Sequence, residues 1–290
     1  MWLSPARTGD VLEARTGAEE LPVTTTSERA AVVAAESRFT EQNIVVVGGA
    51  SGIGGEVASA LAQAGATVDV LDRVERPQEE KITTSVVDVR DRDAVAAALA
   101  AVVERRTSVD GVVYAAGVLD GYATLEEISP ELMDVVLDVN CVGAVNVLQQ
   151  VVPTMKTAGY GRIVLFGSIA GIVAGAGGIA YTMSKHAVAG LVKHLAVELG
   201  PYGITTNSVA PGSIQGTKIR TSITAITSPG SVATDRGLGV MSAEDAAKTY
   251  PVGRLGTIDA VVPTVLHLLD RSSWFINGAE VAIDGGFTSK

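Results

Sequence analysis

Ile44-Val45-Val46-Val47-Gly48-Gly49-Ala50-Ser51-Gly52-Ile53-Gly54-Gly55 is the stretch whose reading decides the fold. Four β-branched residues in a row read as a strand buried on both faces, the pattern of a parallel sheet. Glycines follow at once, and Glu56 to Ala64 behind them has helical small-residue content that Gly65 ends. Strand, Gly49-x-x-x-Gly52-x-Gly54, helix is a phosphate-binding arrangement. Glycine permits the tight turn and lets a pyrophosphate approach the backbone at Ser51, Gly52, Ile53 and Gly54, while the N-terminus of the helix that follows offers N–H groups and a positive dipole end. An ordinary Gly-rich turn is the competing reading, and the strand before and helix after favour the phosphate site.

Outward from that turn the pattern repeats. Thr67–Leu71 is a second strand closed by Asp72, 18 residues after Gly54. A carboxylate there accepts hydrogen bonds from both ribose hydroxyls of an adenosine and repels a 2′-phosphate, which favours NAD over NADP. Arg73, just beyond, works against that preference, since a guanidinium neutralises a 2′-phosphate. Further apolar strands read at Thr84–Val87, Gly111–Ala115, Arg162–Phe166, Ile204–Val209 and Glu280–Ile283, with helices at Asp91–Arg105, Pro130–Met155, Ala180–Leu199 and Ile258–Leu269. Strands alternating with helices predict an α/β fold, a doubly wound parallel sheet of Rossmann type with helices on both faces. Residues 43–290 read as one domain. Residues 1–42 read as an N-terminal extension, partly disordered or packed as an arm, with a short helix from Ser27 to Phe39. Residues 213–253 interrupt the rhythm with Ser, Thr, Gly and a helix-like Ser242–Thr249, and are expected to form a substrate loop or lid.

Composition bounds the rest. The formal net charge of −10 supplies no basic stripe for nucleic acid or an anionic membrane. The single cysteine, Cys141, forms no internal disulfide and fits a reducing cytoplasm. No apolar run approaches the roughly 20 residues of a membrane span, and the N-terminus lacks a signal-peptide pattern.

Several strand ends carry chemistry. Asp88-Val89, after the third strand, suits an adenine amino group covered by Val89; capping of the following helix by Asp88 or Asp91 is an equal alternative. At Ala115-Ala116-Gly117 small residues let a cofactor lie close to the chain. Ser168 follows a buried strand, and Tyr181 and Lys185, four apart, share one helix face. A phenol, an ammonium and a hydroxyl converging on one point make a proton-transfer site without metal or histidine. Asn140 stands inside a helix that it fits poorly, as if to kink it. His186, His194 and His267 have no metal-ligand spacing, so no metal is expected. Ser168 lacks a triad context, and Cys141 reads as a packing residue.

These residues stand in the order of a known family. From about residue 43 to the C-terminus the chain resembles a short-chain dehydrogenase/reductase: the glycine turn, Asp72, Asp88, Asn140, Ser168, Tyr181-x-x-x-Lys185, Pro211-Gly212 and Ile283-Asp284-Gly285-Gly286. The resemblance implies Tyr181 as general acid/base, Lys185 lowering the phenol and holding the nicotinamide ribose, Ser168 on the substrate oxygen, Asn140 keeping a relay water, and the backbone near Ile214, past Pro211-Gly212, receiving the nicotinamide carboxamide. It also implies a dimer or tetramer built on the long helices. The chain departs from the pattern at Gly48, usually Thr, at Tyr114-Ala115, usually Asn-Asn, and at Gly216, often Thr; the first two remove polar groups that brace the cofactor loops. The expected reaction is hydride transfer between NAD(H) and a secondary alcohol or ketone. Leu119, Ile169 and Tyr122 are expected to wall a mainly apolar, cyclic substrate, with no arginine clamp. An NADPH-linked 3-oxoacyl-acyl-carrier-protein reductase and a non-catalytic nucleotide-binding protein are the alternatives. Asp72 and the net charge oppose the first, and the presence of both Tyr181 and Lys185 opposes the second.

Overall fold

The β-branched runs pair into one parallel sheet. The computed structural model describes residues 37–228 and 230–290. Among them are seven strands: β1 (Asn43–Val47), β2 (Thr67–Asp72), β3 (Ile82–Val86), β4 (Gly111–Tyr114), β5 (Gly161–Phe166), β6 (Ile204–Pro211) and β7 (Glu280–Ile283). Their order is β3-β2-β1-β4-β5-β6-β7, and every neighbouring pair is parallel. The chain runs outward from β1 to β3 and then returns to lay β4 on β1's other side. That reversal opens a crevice at the carboxyl ends of β1 and β4, where open α/β sheets take their ligands.

β4, β5 and β6 are buried at every position, as central strands covered on both faces are, the polar Thr205, Thr206, Asn207 and Ser208 of β6 included. β3 lies at the edge, half exposed, and its Ile-Thr-Thr-Ser-Val sequence hides its start from a hydropathy reading. It begins at Ile82 rather than Thr84 and ends at Val86.

Helices cover both faces. α1 (Gly52–Gln63) and α7 (Val262–Leu269) close one side with Val57, Leu61, Val265 and Leu268. α2 (Arg92–Arg106), α4 (Gly143–Ala158) and α5 (Ile179–Leu199) close the other with Leu99, Val147, Val151 and Val192. α1 begins at Gly52, four residues before the expected Glu56: Gly52 enters it at φ +59°, and Gly54 and Gly55 are buried in its first turn. Phe39 is fully buried and donates its N–H to the Ala64 carbonyl at 2.8 Å. Ser37–Thr40 form a turn; the helix read from Ser27 and the arm over residues 1–42 otherwise lie outside the described residues.

The expected helix Pro130–Met155 is not one regular helix. α3 (Pro130–Leu137) starts at the Ser129 cap, whose hydroxyl accepts from Leu132 N at 3.1 Å, with Pro130 in the first turn. A π turn at Asp138–Val142 follows, and α4 runs on to a left-handed Gly159. The whole of Pro130–Ala158 is long and apolar enough to cross a bilayer, yet 56% of its most apolar window is buried inside the fold, as in a core helix. In the 213–253 region α6 (Ala243–Thr249) matches the helix read there.

α5 starts without a capping side chain of its own, since Gly178 occupies the cap. The first-turn N–H groups need an acceptor. Asp120, from the loop after β4, provides it across 58 residues: its carboxylate accepts from Gly178 N at 3.0 Å and Tyr181 N at 2.9 Å.

Candidate active site

The crevice is a cavity of about 510 Å³ whose walls run from Gly52 and Asp72 at one end to Ser168 and Lys185 at the other, with Ala116 and Ile214 between. The glycine turn is shaped by what a side chain would strike. A Cβ on Gly54 would fall 2.2 Å from the Gly48 carbonyl oxygen, and one on Gly48 2.5 Å from Ala116 N. Gly52 has φ +59° and open space beside it. Ser51 makes no capping bond, so its hydroxyl faces the cavity uncommitted. A dinucleotide fits this cradle: close backbone, free helix N-terminus and a carboxylate one strand away. Gly54→Ala is therefore expected to abolish saturable NADH binding in a fluorescence titration, and a dissociation constant within about twofold of wild type contradicts that reading.

Most of the cofactor residues expected from sequence line the cavity: Ser51, Gly52, Ile53 and Gly54 at the turn, Asp72 and Arg73, Asp88 and Val89, Ala115, Ala116 and Gly117, and Pro211, Gly212 and Ile214. Gly49 does not. A Cβ there would meet Val46 and Val70 at 3.0 Å, and its carbonyl accepts from Arg76 at 2.7 Å. It forms the underside of the turn. Arg76 also donates to the Gly55 carbonyl at 3.4 Å and to Ser59 Oγ at 3.0 Å, and pairs with Glu79. This buried guanidinium braces the turn in a chain with no Thr at position 48.

Asp72 accepts from Ala50 N at 2.9 Å and Val74 N at 3.2 Å, fixing its carboxylate at the mouth of the turn. Arg73 reaches the Ser222 carbonyl at 3.4 Å. Asp88 lies two residues beyond β3 and pairs with Arg90 at 2.7 Å. The helix cap is Asp91, which accepts from Asp93 N and Ala94 N at 3.1 and 3.0 Å. Capping thus falls to Asp91, and Asp88 remains at the cavity wall.

At the far end, Lys185 Nζ donates to the Phe166 carbonyl at 2.8 Å and lies 5.4 Å from the Tyr181 ring centroid. Ser168 Oγ accepts from Ala170 N at 3.2 Å and acts on the Tyr181 phenol by lowering its pKa. Tyr181 stands behind the cavity wall, only 6% exposed, in a small cluster with Leu119 and Ile169, and Tyr122, Ile219 and Leu238 pack over that cluster. Burial pushes the phenol up to about 12, against the opposing effect of Ser168. Burial brings Lys185 down to about 8.

The Lys185 shift has a sign that can be measured. From pH 8 to 10.5 the unfolded chain holds the Lys185 proton and the folded chain does not, so this group's contribution to stability rises with pH across that window. Below pH 8 the buried ammonium costs about 3 kcal/mol in full. Replacing it removes that dependence. The unfolding free energy of Lys185→Met relative to wild type is expected to fall by about 3 kcal/mol between pH 7 and 10.5 in paired urea titrations. A difference flat with pH contradicts the buried-ammonium assignment.

Asn140 sits in the π turn, 1% exposed. Its Oδ1 accepts from Val118 N at 2.9 Å; its Nδ2 donates to the Val118 carbonyl at 3.0 Å and Ser184 Oγ at 2.9 Å. It does not line the cavity, but it meets Lys185 across Gly117, where a Cβ would lie 3.4 Å from Asn140 Oδ1 and 3.6 Å from Lys185 Nζ. Ile214 forms a bridge in which Gln215 N and Ser213 O bond Gly256, which turns Ile214's own amide away from Gly256. Cys141 is half-buried, its Sγ donating to the Ser184 carbonyl at 3.3 Å. No metal-ligating cluster occurs among the described residues.

The residue 213–253 segment is fastened to the loop after β4. Arg236 donates to the Gly121 carbonyl at 2.8 Å and pairs with Glu127 through both arms at 2.7 and 3.1 Å. Tyr122 Oη accepts from Leu238 N at 3.1 Å. Arg220 lines the cavity, and one of its guanidinium nitrogens is taken by the Thr234 carbonyl at 3.2 Å and by that of Arg236. Sequence reading named Tyr122 as a substrate wall but missed Glu127, Arg220, Arg236 and Leu238, together with Asp120 and Arg76. The one signal for Asp120 was a helix beginning at Gly178 with no capping residue.

A model of the short-chain dehydrogenase family matches residues 42–227, well over half the chain. The chain is a short-chain dehydrogenase. It belongs to a family of NAD(P)-dependent oxidoreductases that act on the alcohol or ketone groups of small molecules. Levodione reductase of Leifsonia aquatica is 29% identical over 86% of this chain and 95% of its own length. Trans-4-hydroxycyclohexanecarboxylate dehydrogenase of Sinomonas cyclohexanicum is 31% identical, over 87% and 95%. The 3-oxoacyl-acyl-carrier-protein reductase of Thermotoga maritima is 33% identical, over 83% and 96%. Among solved structures, levodione reductase superposes with a TM-score of 0.76 over 87% of this chain and 99% of its own, at 29% identity. ElxO, crystallised with NADP bound, gives 0.75 at 27% identity, over 86% and 99%.

Proposed function

We propose that this short-chain dehydrogenase is an NAD(H)-linked enzyme for a secondary alcohol or ketone on a small, mainly apolar, cyclic substrate. One observation carries the reading: a single cavity runs from Asp72 to Ser168 and Lys185, with Tyr181 packed directly behind that end. Bound in that cavity, the nicotinamide is the hydride donor or acceptor. In the oxidative direction Tyr181 takes the hydroxyl proton of the substrate, and in reduction it returns it. Ser168 hydrogen-bonds the substrate oxygen and the phenol together. Lys185 carries positive charge beside the ring and holds the nicotinamide ribose. Asn140 orders the link from Lys185 to solvent. A phenol held near 12 in the free protein is almost wholly protonated, so the phenolate needed for oxidation requires added positive charge nearby, which lowers the pKa.

Leu119, Ile169, Tyr122 and Leu238 give the substrate side apolar walls. That chemistry suits a ring, and two relatives carry names of cyclic substrates. For the cofactor, Asp72 faces the adenosine ribose while Arg73 is drawn toward Ser222, which supports NAD. The likeness to an oxoacyl reductase keeps the NADPH-linked alternative as the second reading.

Fluorescence titration separates them. NADH is expected to bind at least about tenfold tighter than NADPH, and Asp72→Ala to narrow that ratio. Tighter binding of NADPH sinks the NAD assignment. A panel of cyclic ketones and linear 3-oxoacyl thioesters with the preferred cofactor then reads the substrate class, and turnover confined to the thioesters favours the second reading.

A further inference from the structure

Tyr114 ends β4 where the short-chain dehydrogenase pattern carries Asn, and it is 2% exposed. Its hydroxyl donates to the Val139 carbonyl at 2.6 Å. Burial holds the phenol well above its ordinary value, so it is a neutral donor. Val139 lies inside the π turn Asp138–Val142, whose wider spacing shows in the Gly143 N–H bonding back to the Asp138 carbonyl. The ring has room because position 143 is Gly: a Cβ there would stand 2.4 Å from Tyr114 Oη. The residue after Val139 is Asn140, whose amide clasps both the N–H and the carbonyl of Val118 and reaches Ser184. Ser184 Oγ in turn donates to the Tyr181 carbonyl at 2.7 Å. A short series of contacts therefore leads from the Tyr114 hydroxyl to the turn that carries Asn140, and from Asn140 to the helix that carries Tyr181 and Lys185.

We propose that Tyr114 is a positioning residue for Asn140: its hydroxyl holds the Val139 carbonyl and with it the π turn, in the register that sets the Asn140 amide between Val118 and Ser184 beside Lys185. The proposal rests on the catalytic reading of Asn140 and Lys185 given above. The departure from the family pattern at position 114 thus exchanges one brace for another. A regular helix through Asp138–Val142 rotates Asn140 off this bearing, since one extra residue in a turn shifts everything after it by about 100°.

The test is a double-mutant cycle on turnover. Tyr114→Phe removes the donor and keeps the ring. Rates are measured with the best ketone of the panel and normalised to NADH-binding sites, which removes any change in folded fraction. Tyr114→Phe is expected to lower kcat about tenfold, the scale of one buried hydrogen bond, with the NADH dissociation constant unchanged within about twofold. Tyr114→Phe combined with Asn140→Ala is expected to lose no more than Asn140→Ala alone, because the hydroxyl acts through that amide. A kcat near wild type in Tyr114→Phe, or losses that multiply in the double variant, overturns the positioning role. If Asn140→Ala alone turns over normally, the catalytic reading of Asn140 fails as well, and the two failures are told apart.

Discussion

Tyr181→Phe is expected to cut turnover by roughly 10²–10⁴, the range a positioned general acid/base supplies, while NADH binding stays within about twofold of wild type. The substitution keeps the ring that packs with Leu119, Ile169 and Ala176, so the fold has no reason to change. It removes only the hydroxyl beside Ser168. His186 is exposed and turned to the Thr182 carbonyl, Cys141 faces the Ser184 carbonyl, and the cavity's other phenol, Tyr122, is bonded to Leu238 N. The effect belongs in kcat rather than in affinity, because the phenol acts on the transferring proton. Oxidation by wild type is expected to quicken as pH rises, since the base is the phenolate and burial holds the phenol high. Steady-state rates of wild type and Tyr181→Phe over the ketone panel check this, and more than about a tenth of wild-type kcat in the variant rules Tyr181 out as the proton group.

The second large effect falls on stability. Asp120 is 1% exposed and accepts from three backbone N–H groups: Gly178 at 3.0 Å, Tyr181 at 2.9 Å and Tyr122 at 3.2 Å. Asp120→Ala strands all three, and each buried unsatisfied donor costs about 1–3 kcal/mol. Partial hydration of the hole recovers some of this, leaving an expected loss of roughly 3–5 kcal/mol and a Tm lower by on the order of 10 °C. Asp120→Asn keeps one oxygen as acceptor and is expected to lose less than half as much. The loss also reaches function, because the N–H group released includes that of Tyr181 itself. Thermal unfolding of the two variants beside wild type decides it; a drop under about 2 °C for Asp120→Ala shows that α5 does not depend on this cap.

Legibility in the sequence followed periodicity and failed where tertiary contact decides. Ile44 to Val47 could only be a doubly buried strand, and the turn behind it could only meet a phosphate or nothing. The Asp72 and Tyr181-x-x-x-Lys185 positions follow from strand ends and helix spacing, both local. β3 was shifted because an edge strand built of Thr and Ser has no apolar signature. The π turn at Asn140 leaves no hydropathy signal, since the apolar residues of α3 and α4 continue through it. Arg76, Asp120 and Arg236 belong to no motif in the sequence, and each proves to bond backbone groups distant along the chain. Tyr114 read as a lost polar brace, yet its hydroxyl is bonded, to a carbonyl 25 residues on. Gly49 read as part of the phosphate cradle because it belongs to the motif, but its Cα faces Val46 and Val70. Where a side chain's partner lies in another element, one sequence carries no trace of it.

The central claim is that hydride passes between NADH and a cyclic carbonyl carbon at the Ser168–Tyr181–Lys185 end of the cavity. Its most direct test is isotope transfer. NADH deuterated at the transferable position is incubated with cyclic ketones and wild-type or Tyr181→Phe protein, and the alcohol is analysed by mass spectrometry. The prediction is one deuterium on the carbinol carbon with wild type, and transfer slowed by roughly 10²–10⁴ with Tyr181→Phe. Transfer at equal rates by the two proteins, or saturable NADH binding with no deuterium delivered to any cyclic ketone, contradicts the account.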